Sequence, residues 1–383
     1  MHIGFLTPEY PHPQVQYSAG IGTSLKNLIE SLVLLDCTVS IFVYNQRRFD
    51  YIEEGNITIH LLQNISTGTM PWLENRRRIN KYVQYYITTE KIDLIEVPDW
   101  TGISALMSFS CPVVMRLHGS DGFFCYLENR KQKLKNRCLE KFALRQADAL
   151  IAPNAFTLQT TRKIFKLSEN QKNKIINLGI DLAVFNGPDW EKFEPFTICC
   201  IGTIIRKKGV FTLPSIFEEI LRLNPEVSFF FIGNDSPDVF SGSESTWSLL
   251  EKEFSPEVIN RVTYLGKIDY SEISFHLKKS NLCVFPSKAE TTGMVTLEAM
   301  AMGKAVITSN EDWSAEIINN GENGYRLDPL DCKEFARVAV DILSDRELAI
   351  SLGKKARSII ETEFDALITA RKNKAFYQEL VKA

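Results

Sequence analysis

Short apolar runs separated by longer amphipathic stretches recur along almost the whole chain, and no other feature restricts the fold as strongly. In the first half, residues 3–6, 39–43, 57–61, 94–97, 113–117 and 150–152 read as strands, with helical patterns such as 21–35, 73–89 and 127–147 between most of them. A second series of strands follows at 198–201, 228–232, 262–265, 282–285 and 305–308. Strands alternating with helices predict an α/β chain whose parallel sheets are covered on both faces. At 383 residues the chain exceeds what one core usually supports, so two domains are expected. Gly187, Pro188 and Pro195 break any regular element between the two series. This places an N-terminal domain at 1–185, a linker at 186–195 and a C-terminal domain at 196–364, followed by a helical stretch at 365–383. Open parallel sheets bind ligands beyond the carboxyl ends of their strands, so a cleft between two such domains is the expected binding place.

Composition removes several function classes. An apolar fraction of 44% and a formal charge of -3 describe an ordinary soluble protein with no global attraction to nucleic acid. Eight cysteines lie scattered without a C-x-x-C pair, several inside apolar runs, and read as buried reduced thiols of a cytosolic protein. The first residues read directly as a strand and no uncharged apolar run approaches about 18 residues, so neither a leader nor a spanning helix is expected. With no D-x-D pair and only dispersed histidines, metal chemistry is disfavoured.

The densest chemistry lies at Phe285-Pro-Ser-Lys-Ala-Glu290-Thr-Thr-Gly293-Met-Val-Thr-Leu-Glu298. A strand ends at Phe285, Pro286-Ser287 breaks it, and residues 293–302 read as a helix, leaving Glu290 in a loop and Glu298 within the helix. A helix N-terminus offers N–H groups to a phosphate, and carboxylates accept from hydroxyls, which together suit a nucleotide-sugar. Gly202-Thr-Ile-Ile-Arg206-Lys207-Lys208-Gly209 puts positive charge on the loop after the first strand of the second domain, a suitable place for a diphosphate. Gly20-Ile-Gly22 opens a helix after the first strand and would let backbone approach a phosphate; Leu25 stands where a dinucleotide fingerprint needs its third glycine. His118, right after the strand at 113–117 and before Gly119, is set to project into the cleft. His2, His12, His60 and His276 have no such setting.

The stretch from Glu290 to Glu298, with Ala-Met-Ala-Met-Gly303-Lys-Ala-Val after it, resembles the E-x7-E signature of retaining glycosyltransferases of the GT-B fold, family 4. The resemblance is continuous over the second domain and patchy over the first. It implies two doubly wound, Rossmann-like domains and transfer of a sugar from a nucleotide-sugar (UDP, GDP or ADP) to a glycan, glycolipid or small-molecule acceptor in polysaccharide biosynthesis, with no metal and no other cofactor. Gly202 to Gly209 is similar to the family's G-R-x4-K-G motif, with Thr203 in the arginine position, so that role would pass to Arg206 beside Lys208. By the same resemblance Glu290 would hold the donor sugar, Glu298 the ribose, Thr292, Gly293, Met294 and Val295 with Gly20 and Gly22 the sugar and diphosphate, Lys267 and Ile268 the base, and His118 the sugar near the reacting carbon. The family's route is front-face attack, and its final helix crosses back to the first domain. A non-catalytic nucleotide-sugar-binding subunit, a phosphorylase and an epimerase on the same fold stay open as rivals. Arg76-Arg77-Arg78 and the run Arg130, Lys131, Lys133, Lys135, Arg137, Lys141 and Arg145 form basic tracts suited equally to a solvated helix face or to anionic lipid headgroups at the inner face of a membrane.

Overall fold

A computed structural model describes residues 1–65, 69–187 and 194–382. The chain divides into two compact units, Met1–Gly179 with Asp365–Ala383, and Ile180–Phe364. The first unit is built on an eight-stranded sheet of order β3-β4-β2-β1-β5-β6-β7-β8. Its strands are β1 (His2–Thr7), β2 (Thr38–Gln46), β3 (Asp50–Glu54), β4 (Ile57–Gln63), β5 (Leu94–Pro98), β6 (Val113–Arg116), β7 (Ala149–Ala152) and β8 (Asn173–Ile175). All pairings are parallel except β3 with β4. The two-residue period of a strand sends alternate side chains to opposite faces, and both faces are covered. Ile3 and Phe5 of β1 pack with Leu28, Ile29 and Leu32 of helix Gly20–Leu34 and with Phe376, Tyr377 and Leu380 of helix Ala366–Val381. Leu6 turns to the other face and packs with Ile79, Val83 and Ile87 of helix Pro71–Thr89.

The second unit carries a wholly parallel six-stranded sheet of order β11-β10-β9-β12-β13-β14. Its strands are β9 (Thr197–Ile201), β10 (Ser228–Ile232), β11 (Val262–Tyr264), β12 (Leu282–Phe285), β13 (Ala305–Ser309) and β14 (Tyr325–Leu327). Phe217, Phe229 and Phe231 centre its largest core, with Phe217 stacked on Phe229 at 3.7 Å. All eight cysteines carry free thiols. Among the described residues no helix is long and apolar enough to cross a membrane.

Three strands escaped the apolar pattern, for physical reasons. Strand β3 reads Asp-Tyr-Ile-Glu-Glu, lies at the edge and is held by the antiparallel register with β4 across Gly55, whose φ of 61° makes the turn. Strands β8 and β14 have three residues each, too few for a period. The single helix expected at 127–147 is two, Asp121–Leu127 and Leu134–Gln146. Ser120 caps the first, Asn129 turns the chain with a φ of 54°, and the charged stretch that follows has no apolar face to bury.

The unit boundary falls at 179/180, ahead of the position expected from Gly and Pro content. The Ile180 N–H donates to Phe364 O at 2.7 Å, Phe185 is buried against the Tyr270 ring, and Arg357 donates to Phe185 O at 2.6 Å, so these residues fold with the second unit. Of the linker expected at 186–195, residues 188–193 lie outside the described residues. Helix Ala366–Val381 starts at Asp365, whose carboxylate accepts from the N–H groups of Leu367 and Ile368, and packs in the first unit against helix Gly20–Leu34.

A buried ion pair ties that last helix to the sheet. Arg116 donates to both oxygens of Glu96 at 2.7 and 2.8 Å, and also to Asn373 at 2.6 Å and Tyr377 at 3.1 Å, while the Tyr377 hydroxyl donates to Glu96. Removing one partner leaves the other charge buried alone. Arg116→Ala is therefore expected to cost about 3–5 kcal/mol in urea unfolding. Arg337→Ala, which breaks only solvent-exposed pairs with Glu334 and Asp341, should leave the midpoint unchanged.

Candidate functional site

In the second unit the loops after β9 and β12 meet because glycines let their backbones touch. Gly209, at φ 71°, closes the turn Arg206–Lys208, and a Cβ there would lie 1.9 Å from Pro286 O. The Lys288 N–H completes the join by donating to Lys207 O at 2.8 Å. This brings Lys208 to Glu290, 82 residues further along, where Nζ donates to Oε1. Beneath them, Gly202, Thr203, Lys208, Pro286 and Ser287 line a cavity of about 20 Å³.

Glu298 sits inside helix Met294–Ala301 and is buried. Burial pushes its carboxyl up to about 7, against the hydrogen bond from Tyr270 and the charge of Lys208, both of which favour the anion. The Tyr270 hydroxyl donates to Oε1 at 2.8 Å. Lys208 is thus in ion-pair contact with one of the two expected glutamates and within the electrostatic reach of the other. The helix is entered through Gly293 at φ 75°, where a Cβ would meet Trp313 at 2.9 Å. Trp313 is locked by its own Nε1 donating to Ser287 O at 3.2 Å. Met294 and Val295 open this helix, so their N–H groups have no intrahelical acceptor, and the buried hydroxyls of Thr292 and Thr296 have no hydrogen-bond partner. Donors and acceptors therefore converge on one helix start.

The remaining expected residues fall in different settings. Arg206 does not join Lys208: its guanidinium makes a bidentate pair with Asp238 at 2.8 and 2.8 Å, and lies over the Phe211 and Phe240 rings at 4.4 and 5.0 Å. The pair holds the Asp238 carboxyl well below the usual range. Lys267 is exposed and Ile268 half-buried, in the turn leading to helix Tyr270–Lys279. Tyr270, Asp238 and Trp313 were not singled out from sequence. Asp269 and Glu272 do read as a capping box, which announces the helix but not where the Tyr270 phenol goes.

In the first unit, Gly22 donates its N–H to the Glu9 carboxylate at 2.8 Å, so the helix start at Gly20 already has an anion; space beside Gly20 is open. His118 is half-buried at the carboxyl end of β6, and burial plus the Arg116 charge push its imidazole down to about 3, so it is neutral. The backbone N–H groups of His118 and Gly119 donate to the two Asp99 carboxylate oxygens at 2.9 and 3.2 Å. A cavity of about 10 Å³ is lined by His118 together with Arg116, Asn177 and Thr369. His60 is a core histidine, stacked on Phe42 at 4.5 Å. Arg76 leaves the expected basic patch: it is buried, donating to Gly102 O at 3.2 Å, whereas Arg77 and Arg78 are exposed. Among the described residues no group of three His, Cys, Asp or Glu is placed to hold a metal ion.

Comparison with known proteins identifies the class to which this fold and site belong. The model of glycosyl transferases group 1 matches residues 189–359, and that of glycosyltransferase family 4 matches residues 18–184. The N-acetyl-alpha-D-glucosaminyl L-malate synthase of Bacillus anthracis is 30% identical over 70% of this chain and 68% of its own. Among solved structures, sucrose-phosphate synthase from Thermosynechococcus elongatus superposes with a TM-score of 0.82 at 20% identity, covering 100% of this chain and 99% of its own. HepE of Anabaena, in complex with UDP-glucose, superposes with a TM-score of 0.74 at 17% identity, covering 99% and 100%. The chain belongs to the group 1, family 4 glycosyltransferases and has the GT-B fold.

Glu298 carries a stability consequence. Its folded-state pKa of about 7 lies above the ordinary 4.5 of an exposed glutamate, so the folded protein binds the extra proton between those values and loses stability as pH rises through that window. Glu298→Gln keeps the shape and removes the charge. It is expected to stabilise the fold at pH 8 by roughly 3 kcal/mol as an upper bound, read as a higher melting temperature, and to change little at pH 4.5. Equal shifts at both pH values, read by calorimetry, would contradict this.

Proposed function

We propose that this glycosyltransferase takes its sugar from a nucleotide-sugar and transfers it with retention at the anomeric carbon, binding the donor in the second unit at Lys208, Glu290 and Glu298. The observation that carries the reading is the convergence of one lysine and two glutamates on the start of helix Met294–Ala301. Lys208 and the N–H groups of Met294 and Val295 would meet the diphosphate, the only strong anion of such a donor. Glu290 would hold sugar hydroxyls and Glu298 the ribose. Diphosphate arriving at Lys208 competes with Glu290 for the ammonium, which frees the carboxylate to accept from the sugar. With Glu290 given to the sugar hydroxyls and Glu298 buried beside Tyr270, neither carboxylate is assigned as a nucleophile, and the reading is front-face attack with a phosphate oxygen taking the acceptor proton. The leaving charge would be met by side chains and helix ends, without a metal. The bound UDP-glucose of HepE makes UDP-sugars the first donors to test.

The acceptor we infer is a glycan or glycolipid of a bacterial surface. Helix Leu134–Gln146 supports it with an observation of its own: Lys133 before it and Lys135 and Arg137 in it are exposed, as are Leu134 and Phe142, so cationic and apolar side chains are exposed along one helix. Near an anionic membrane each such charge contributes about 1 kcal/mol. Co-sedimentation with vesicles of phosphatidylglycerol, but not phosphatidylcholine, is expected at low salt and should fall in a Lys133→Glu, Arg137→Glu double variant. Equal binding by that variant would remove the membrane from the reading.

Lys208→Ala should weaken donor binding and turnover together, because losing one partner of a desolvated pair costs roughly 2–5 kcal/mol, or about 30- to 4,000-fold. The assay is transfer from a UDP-sugar with calorimetry of donor binding, run with and without EDTA. Unchanged kinetics in Lys208→Ala would overturn the site, and activity abolished by EDTA and restored by magnesium would overturn the metal-free route.

A further inference from the structure

The loop from His118 to Gly122 is held from beneath by two buried carboxylates that come from separate elements. Asp99, directly after β5, accepts from the N–H groups of His118 and Gly119, one on each oxygen, at 2.9 and 3.2 Å. Glu140, in helix Leu134–Gln146, accepts in the same two-oxygen manner from Asp121 and Gly122, both at 3.0 Å, with Gln132 adding a bond at 2.6 Å. Ser120 Oγ closes the turn by accepting from Phe123 N–H at 3.1 Å. The two supports are themselves joined. Gly102, at φ 57°, lies so close to the second helix that a Cβ would stand 2.6 Å from Glu140 N and 2.5 Å from Leu139 C. Both carboxylates are fully buried, and neither is in a salt bridge with a lysine or arginine among the described residues.

An uncompensated buried carboxylate is costly: burial pushes both up to about 7, with the Glu140 charge raising Asp99 further and the Asp121 charge raising Glu140. A loop that only had to turn would not need them. We propose that Asp99 and Glu140 are positioning residues for glycosyl transfer, fixing the backbone at His118–Gly122 so that the neutral imidazole is presented in one orientation. The requirement for carboxylate is geometric. Two parallel N–H groups need two acceptor oxygens, whereas an amide offers one oxygen and sets its NH2 against the other donor. The proposal rests on the reading of His118 as a residue that meets the donor sugar, so its test keeps the two apart.

The experiment compares His118→Ala, Asp99→Asn and Glu140→Gln in the full chain by donor kinetics, and follows the His118 imidazole by NMR in histidine-labelled protein. With five histidines in the chain, His118→Ala assigns the signal. All three variants are expected to lose about tenfold or more in kcat, an order of magnitude typical of general positioning effects, while KM for the donor changes less than about twofold. In Asp99→Asn the imidazole should become solvated and titrate nearer 6.5. Amide hydrogen exchange on the unmodified protein supplies a readout that needs no variant: the N–H groups of His118, Gly119, Asp121 and Gly122 should be protected. If His118→Ala keeps its kcat, the His118 reading fails. If His118→Ala loses kcat but the two carboxylate variants fold and keep theirs, or if the four amides exchange as freely as an open loop, the positioning role is wrong.

Discussion

Parallel pairing is the constraint on which everything else in this protein depends. Strands that run the same way deliver their carboxyl ends to one edge of the sheet, and because helices cover both faces, that edge is where polar groups can gather. In the second unit it brings the ends of β9 and β12 together although Lys208 and Glu290 are 82 residues apart. Glycine then does what no other residue could at Gly209, where backbone meets backbone.

The same edge determines how charge is handled. In the first unit Glu96 within β5 and Arg116 at the end of β6 are buried but answer each other, with Tyr377 and Asn373 filling the remaining bonds, and the result is a strut between sheet and last helix. Glu298, Asp99 and Glu140 are instead buried with hydrogen bonds but without a full counter-charge, and each is pushed up to about 7. A fold selected only for stability would replace them. Under the proposed reading, their presence is a trade of stability against function. Arg206 illustrates the opposite case, since its bidentate bond to Asp238 already satisfies it.

The local setting of Glu290 and Glu298 in the candidate site was legible in the amino-acid order because a loop and a helix start are properties of neighbouring residues. Gly293 followed by an apolar helical run announces a helix start, and Glu290 and Glu298 are placed by their distance from it. The departures share one cause, that the partner lay far away in sequence. Arg76 reads as one of three surface arginines and is buried, with the carbonyls of Thr101 and Gly102 accepting hydrogen bonds from its guanidinium. Gly20-Ile-Gly22 looked like a free phosphate cradle, yet Glu9 occupies its amides. The helix expected at 127–147 is two, and Glu140 of the second accepts from the amides of Asp121 and Gly122 that open the first.

The sequence by itself determined the fold class, the succession of strands and helices, and the family, since apolar periodicity and short glycine-bearing motifs are properties of neighbouring residues. Only the tertiary structure decided which charges are paired, where the first unit ends, and that Tyr270, Asp238 and Asp99 stand behind the residues the motifs pick out. The reason is physical. Hydrophobic period is read along the chain, whereas a hydrogen bond or an ion pair depends on which groups burial brings within about 3 Å of one another, and nothing local records that.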